Sequence, residues 1–150
     1  MSSRRVVLVA GPPAAGKSSY IAAHRGPDDD VLDFDAICRE LGSKERHNHP
    51  PPVMRQAARI RAEREQQIAE KTTGTSWVIR TVPHPFERHL VAEGIGATEV
   101  LVLATPAAVA KQRAAADNRP AWTAAAIDKW WKQYRPSPDP RERRITGDDQ

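Results

Sequence analysis

The residues with the clearest chemical potential lie near the start of the chain, where Gly11 and Gly16 bound a short loop and Lys17 and Ser18 follow directly. In such a GxxxxGKS pattern the backbone N–H groups surround nucleotide phosphates, the lysine brings a positive charge to the β- and γ-phosphates, and the serine hydroxyl binds Mg²⁺. The residues predicted to contact ATP form one run: Gly11, Pro12, Pro13, Ala14, Ala15, Gly16, Lys17, Ser18 and Ser19. The sequence therefore predicts a site for ATP and Mg²⁺.

The segments on either side of this loop support the same interpretation. Residues 6–10, VVLVA, form the apolar run expected of a buried strand, and residues 17–24 have a composition compatible with a helix. A helix that begins at the loop directs its free N–H groups and the positive end of its dipole at the bound anion. A surface turn that matches the pattern by chance would lack this strand–loop–helix setting.

Two carboxylates, Asp33 and Asp35, follow a second apolar segment, and we predict a short strand over residues 31–35 that ends on them. Open α/β sheets bind their ligands at the carboxyl ends of strands, and residues two apart in a strand face the same side. One carboxylate could therefore accept a proton from a substrate hydroxyl, or help to hold Mg²⁺. Asp35 could also cap the helix expected over residues 36–41, and capping and catalysis are compatible.

Arg113 and Arg119 flank a predicted break between a helix that ends near residue 116 and another that Thr123 is expected to cap. In phosphoryl transfer, arginines at such a break can close over the triphosphate and stabilise the developing charge. The alternative is exposed charge at the ends of two helices. We favour a lid because the break follows the fourth predicted strand.

The remaining pattern indicates the fold class. Strands are expected over residues 6–10, 31–35, 76–81 and 98–104, and helices over residues 17–24, 36–41, 53–71, 86–93, 106–116 and 123–134. Alternation of strands and helices predicts an α/β protein of the P-loop NTPase fold, with a parallel sheet of four or five strands and helices on both faces. We assign residues 1–134 to this domain and the proline- and arginine-rich residues 135–150 to a flexible C-terminal tail.

Amino-acid composition indicates the cellular compartment of the protein but does not distinguish between its possible functions. One cysteine, Cys38, excludes an internal disulfide, and no apolar run is long enough to span a membrane, so we expect a cytoplasmic protein without a membrane partner. The net charge of +4 is compatible with a nucleic acid, although ATP and a phosphorylated substrate would need similar charge. The oligomeric state is left open.

Two groups of residues allow a functional and a structural interpretation. The long helix over residues 53–71 carries Arg55, Arg59, Arg61 and Arg64, which we interpret as a solvated face rather than a substrate-facing ridge. The five histidines lack the spacing of a metal site, so we expect structural or exposed roles for them. His84 and His89 could still line the acceptor side.

The chain resembles the small P-loop kinases that include phage polynucleotide kinases, zeta-toxin-like kinases and their AAA-type relatives. GPPAAGKSS is the specific part of the likeness, which extends over roughly residues 5–134. VLDFDAICREL resembles the segment that holds an acceptor-activating Asp and a substrate-binding Arg, which implies that Asp35 is the general base and Arg39 contacts the acceptor phosphate. AVAKQRAAADNRP is similar to the lid, which implies catalytic roles for Arg113 and Arg119.

One position departs from that family. Many members end the third strand with an Asp that orients the magnesium shell, whereas this strand reads WVIRT and places Arg80 and Thr81 there. Asp33 or Asp35 could take over the metal role, Arg80 could contact a phosphate directly, or the chain could bind ATP with little turnover.

The sequence thus predicts an ATP- and Mg²⁺-dependent kinase acting on a nucleic-acid hydroxyl, either a polynucleotide 5′-hydroxyl or a hydroxymethylated base in phage DNA. A kinase for a nucleoside, nucleotide or sugar is one alternative, and an ATP-dependent binding or assembly module is another. The expected catalytic residues are Lys17, Asp35, Arg113 and Arg119, the expected substrate contacts are Asp33, Arg39 and Arg80, and the expected metal ligands are Ser18 and Asp33.

Overall fold

The computed structural model describes residues 3–145. Within this range the sheet has five strands: β1 (Arg4–Ala10), β2 (Asp30–Leu32), β3 (Gly74–Arg80), β4 (Glu99–Leu103) and β5 (Glu142–Ile145). They are all parallel and lie in the order β2-β3-β1-β4-β5. The prediction of a parallel α/β sheet of four or five strands is confirmed.

Six helices connect and cover the strands: α1 (Lys17–His24), α2 (Phe34–Glu40), α3 (Pro51–Glu70), α4 (Pro85–Ile95), α5 (Ala107–Ala116) and α6 (Thr123–Gln133). Because side chains alternate along a strand, β1 supplies two separate cores. Val6 and Leu8 pack with residues of α2, α3 and α4, whereas Val7 and Val9 pack with residues of α1. The central strand is therefore buried on both faces, as a parallel sheet requires.

The carboxyl ends of the central strands meet at one edge of the sheet. Ala10, the last residue of β1, lies opposite Arg80 of β3 and Val102 of β4. The loop that follows β1 and the residues that follow β2 and β3 consequently open onto the same region. This is the edge at which open α/β sheets bind their ligands.

The start of α2 corrects the prediction for the two carboxylates. Strand β2 ends at Leu32, and the carboxylate of Asp33 caps α2 by accepting the backbone N–H of Asp35 at 3.0 Å. Asp35 lies in the first turn of α2, so the predicted strand over residues 31–35 is too long and the same-side argument does not apply. The cap is Asp33 because its side chain satisfies an N–H group that has no partner within the helix.

The end of the described chain differs from the predicted tail. Residues 142–145 form β5, in register with β4. Glu142 of this strand pairs with the buried Arg88 of α4, with Nε–Oε1 and Nη2–Oε2 distances of 2.6 and 3.0 Å. A four-residue strand preceded by prolines gives too short a pattern to be recognised in sequence. The remainder of the predicted tail, residues 146–150, lies outside the described residues.

The end of α4 and the start of α6 also differ from the predictions. Helix α4 continues through Gly94 to Ile95, and Gly96, at a φ of 65°, takes the left-handed conformation expected of the residue that ends a helix. Thr123 is the first residue of α6 and not its cap, and its buried Oγ1 has no hydrogen-bond partner among residues 3–145. No helix within this range combines the length and apolar character needed to cross a membrane.

Candidate functional site

The loop over residues 11–16 connects β1 to α1, and its two glycines are required by its geometry. Gly16 has a φ of 95°, a conformation that disfavours any residue with a Cβ. A Cβ at Gly11 would lie 2.9 Å from the carbonyl oxygen of Leu103 in β4. The backbone can therefore turn tightly between the sheet and α1, whose first N–H groups are available for an anion.

Lys17 folds back over this loop. Its Nζ donates to the carbonyl oxygens of Gly11 and Pro12 at 2.7 and 3.3 Å. Burial, and secondly the positive charge of Arg119, lower the pKa of Lys17 to about 7, while nearby carboxylates oppose that shift. A phosphate bound beside the amine would favour the charged ammonium form.

The connection between α5 and α6, residues 117–122, lies beside the loop, and we call it the lid. Arg113, in the last turn of α5, donates from Nη1 to the carbonyl oxygen of Ala15 at 2.8 Å, and the Thr105 hydroxyl donates to the same oxygen. Arg119 of the lid lies 3.3 Å from a carboxylate oxygen of Asp117. Both arginines are thus brought to the phosphate loop, and their catalytic roles stay predictions.

One cavity of about 1030 Å³ joins most of the predicted site. The predicted residues that line it are Pro13, Ala14, Ala15, Gly16, Lys17, Ser18, Ser19, Asp33, Asp35, Arg39, Arg80, Arg113 and Arg119. Gly11 and Pro12 belong to the same loop but are buried beneath it. The structure therefore places nearly all of the predicted site residues around a single space.

Ser18 and Asp33, the predicted metal ligands, both line this cavity. Their hydroxyl and carboxylate oxygens suit Mg²⁺, which in nucleotide sites takes one or two protein ligands and completes its shell with phosphate oxygens and water. No cluster of three or more metal-binding His, Cys, Asp or Glu side chains occurs in residues 3–145. The donor set fits a magnesium ion that binds with its nucleotide.

A part of the cavity that we call the acceptor side is formed by Phe34, Asp35, Arg39, Arg61 and Arg80. The guanidinium of Arg61 lies 4.9 Å from the centre of the Phe34 ring, in cation–π contact. Burial first, and then the nearby charge of Arg80, lower the pKa of Arg61. Positive charge is therefore concentrated beside an aromatic ring.

Arg61 is a site residue that the sequence analysis missed. The solvated-face interpretation fits Arg55 and Arg59, which are exposed, and Arg64, which pairs with Glu40 on the surface. Arg61 instead faces the cavity. Its distinguishing signal is its place one helical turn after Ala57, which is fully buried, and one turn before Glu65.

Arg80 occupies the end of β3, where many kinases of the resembled group have a carboxylate. Its Nη1 contacts both carboxylate oxygens of Glu65 on α3, at 2.8 and 3.0 Å. The charge of Arg80 is thus partly compensated by Glu65. No spacing pattern predicts this pair, because the two positions meet only through packing of α3 near β3.

The loop over residues 43–50 contains two histidines, for which structural or exposed roles were expected, and both contact the predicted base. His49 Nε2 lies 2.7 Å from Asp35 Oδ1, and His47 Nδ1 lies 3.2 Å from Asp35 Oδ2. Neither His84 nor His89 lines the cavity. Two histidines two positions apart, in a loop that ends in prolines, were the sequence feature that could have drawn attention to this contact.

No protein-family model matches the chain, and no curated protein matches its sequence. Solved structures do match in fold. A sugar kinase from Janibacter sp. HTCC2649 is 20% identical with a TM-score of 0.61, and the match covers 95% of this chain and 85% of that one. A gluconokinase from Sinorhizobium meliloti 1021 is 14% identical with a TM-score of 0.62 over 97% and 84% of the two chains.

A chain of the Pnkp1/Rnl/Hen1 RNA repair complex is 12% identical with a TM-score of 0.69. That match covers 89% of this chain and 44% of the other, so this chain corresponds to less than half of the repair protein. At such identities the likenesses establish architecture, and the details of the site rest on this chain's own residues. The chain has the fold of the P-loop kinases.

Proposed function

We propose that this chain is an ATP-dependent kinase that transfers the γ-phosphate to a hydroxyl of a nucleic acid, with a polynucleotide 5′-hydroxyl as the preferred acceptor. A hydroxymethylated base in DNA is an acceptor of the same class. The observation that carries the proposal is the shared cavity, in which a phosphate loop, a carboxylate and three guanidinium groups of the acceptor side face one another. The kinase folds of the similar solved structures support it.

In the proposed reaction the acceptor oxygen attacks the γ-phosphorus, the bond from that phosphorus to the β,γ-bridging oxygen breaks, and ADP leaves. Asp35 accepts the hydroxyl proton as the new O–P bond forms. Lys17, Arg113 and Arg119 stabilise the charge on the transferring group. Ser18 and Asp33 would hold Mg²⁺, which neutralises charge on the β- and γ-phosphates when bound.

The acceptor side favours a phosphorylated substrate. Guanidinium groups bind phosphate oxygens through paired N–H donors, and an aromatic ring can stack on a base. Arg39, Arg61 and Arg80 supply the donors, and Phe34 supplies the ring. A neutral sugar would offer no anionic group to these guanidinium groups.

A small-molecule kinase is the second candidate, because the sugar kinase and the gluconokinase match this chain over most of both chains. The third candidate is an ATP-binding module without phosphoryl transfer, because no carboxylate lies at the end of β3.

The experiment is transfer of labelled γ-phosphate from ATP, with Mg²⁺, to a single-stranded oligonucleotide with a 5′-hydroxyl, beside DNA that contains hydroxymethylated bases and panels of nucleosides and sugars. Asp35→Asn should reduce transfer by about 10²- to 10⁴-fold while ATP still binds, because general-base catalysis contributes that much. Asp128→Asn is the matched control, since Asp128 pairs with Lys111 on the surface outside the cavity.

Label on the oligonucleotide, with a KM that rises steeply between about 50 and about 200 mM salt, would support a polynucleotide acceptor. Label on a sugar or nucleoside with little salt dependence would replace it with the small-molecule kinase. ATP binding without transfer to any acceptor would overturn the kinase proposal in favour of a binding module.

A further inference from the structure

The carboxylate of Asp35 is held by two imidazoles from the loop over residues 43–50. His49 approaches one carboxylate oxygen at 2.7 Å and His47 approaches the other at 3.2 Å. The second ring nitrogen of His49 lies 2.7 Å from the hydroxyl of Ser43. The orientation of Asp35 is therefore set by a loop that is distant from it in sequence.

His49 borders the cavity, but only 2% of its side chain is exposed, so its contacts are almost entirely with protein atoms. Its ring is fixed by Ser43 at Nδ1 and can donate from Nε2 to Asp35. An ionised carboxylate has about four acceptor sites, so Asp35 can take both imidazole contacts and still accept a hydroxyl proton. His49 thus limits the rotation of the carboxylate without blocking it.

His47 reaches from Asp35 to the lid. Its Nε2 lies 3.2 Å from Oδ2 of Asp117, the residue that ends α5. The same oxygen lies 3.3 Å from Nε of Arg119, and Arg46 contacts the other oxygen at 2.9 Å. One chain of contacts therefore runs from Asp35 through His47 and Asp117 to an arginine beside the phosphate loop.

Both nitrogens of His47 face carboxylate oxygens, and a neutral imidazole has one N–H to donate. His47 therefore lies between two carboxylates, that of Asp35 and that of Asp117. The charged groups around this ring are Asp35 of α2, Asp117 at the end of α5, Arg46 of the same loop and Arg119 of the lid.

We propose that His49 and His47 are positioning residues for Asp35. His49 fixes the orientation of the carboxylate, and His47 couples that carboxylate to Asp117, so that the base and the lid adopt their working positions together. The proposal rests on the proposed function of Asp35 as the general base.

Kinetics of phosphoryl transfer test the first part. His49→Phe should lower kcat by about 10- to 100-fold, the usual effect of losing a group that orients another, and leave the KM for ATP within about twofold. His49→Gln should restore part of kcat, because its amide can donate from near the position of Nε2. His89→Phe is the matched control, since His89 also contacts a carboxylate, that of Asp139 at 3.2 Å, but lies outside the cavity.

A double-mutant cycle tests the second part. His47→Ala and Asp117→Asn should each lower kcat by about 3- to 10-fold, and the double variant should lose less than the product of the two single effects, because both substitutions remove the shared His47–Asp117 contact. Additive losses, or a wild-type kcat in His49→Phe, would overturn the proposal.

A readout independent of activity separates the two proposals. In ¹H–¹⁵N spectra of the histidine rings, Asp35→Asn should shift the ring nitrogens of His47 and His49 and leave those of His89 in place. Phosphoryl transfer by the wild type with no such shifts would overturn the positioning role and keep the kinase. The expected shifts in a protein that transfers phosphate to no acceptor would uphold the contacts and overturn the proposed function.

Discussion

The two sides of the cavity are built in different ways. The phosphate side is one run, residues 11–19, that comprises the phosphate loop and the start of α1. Its contribution is mostly backbone, fixed by the two glycines of the loop. The acceptor side collects single side chains from α2, α3 and the end of β3, with two histidines from the loop over residues 43–50 behind them. One side is local in sequence and the other is assembled by folding.

Because the two sides are built differently, we expect them to recognise different parts of the substrates. Backbone N–H groups at a helix start bind phosphate regardless of the rest of the nucleotide. Side chains contributed by separate elements can change one at a time, so they are suited to selecting an acceptor. We therefore expect substitutions in the phosphate loop to affect every substrate alike, and substitutions on the acceptor side to affect the acceptor alone.

Lys17→Met should give the largest effect. Loss of its charge should reduce kcat/KM for ATP by about 10³-fold with every acceptor, because the charge acts directly on the transferring group. Steady-state kinetics with two chemically different acceptors would check this. Lys111→Met removes an exposed lysine that pairs with Asp128 and should leave the rate unchanged. A decrease in kcat/KM with only one of the two acceptors would contradict the proposed separation of the phosphate loop from the acceptor side.

The next largest effect is a dependence of ATP affinity on pH, caused by the lowered pKa of Lys17. Because burial holds this pKa at about 7 in the free protein, much of the amine is neutral at about pH 8, and a bound triphosphate should recharge it. ATP binding should take up a proton there, and affinity should fall as pH rises above 7, approaching about tenfold per unit. Calorimetry in buffers of different ionisation enthalpy would measure the uptake. Binding without proton uptake would contradict the prediction.

Arg61→Ala should affect the acceptor selectively. We expect the KM for a phosphorylated acceptor to rise about tenfold, since a charge-assisted contact to phosphate contributes about 1.5 kcal/mol, and the KM for ATP to stay unchanged. Arg59→Ala, an exposed position on the same helix, is the control. An equal rise in both KM values would show that the two sides are not separable at this residue.

Glu65→Gln should give the smallest effect and the opposite sign. Removing the carboxylate frees Arg80 from its ion pair and leaves that guanidinium available to the acceptor. The KM for a phosphorylated acceptor should fall by about two- to threefold, the scale of a partly exposed ion pair. An increase in KM, in a variant with an unchanged unfolding temperature, would indicate that Glu65 orients Arg80 for binding.

Sequence patterns identified the parts of the molecule that are regular or local. The apolar strands, the boundaries of α1 and the phosphate loop all follow from the spacing of residues within one continuous segment. The buried residues Ile127 and Trp130 of α6 are likewise three positions apart, the spacing of one helix face. In each case the sequence pattern and the structural element that it predicts lie in the same short segment.

The errors arose where short segments depend on distant ones. Strand β5 has four residues, and it is recognisable only beside β4 and through the pairing of Glu142 with the buried Arg88. The Asp33 cap shortened the predicted strand by replacing strand hydrogen bonds with a helix start. Neither outcome could be read from periodicity.

The sequence by itself determined that this chain has a phosphate loop in an α/β fold, because the loop's function is carried by consecutive backbone groups. Only the tertiary structure decided that Arg61 faces the cavity, that Glu65 pairs with Arg80, and that His47 and His49 hold Asp35. These contacts join residues 12 to 15 positions apart, or on different elements, and no local pattern specifies them. Their geometry exists only once α2, α3 and the loop between them pack against the edge of the sheet.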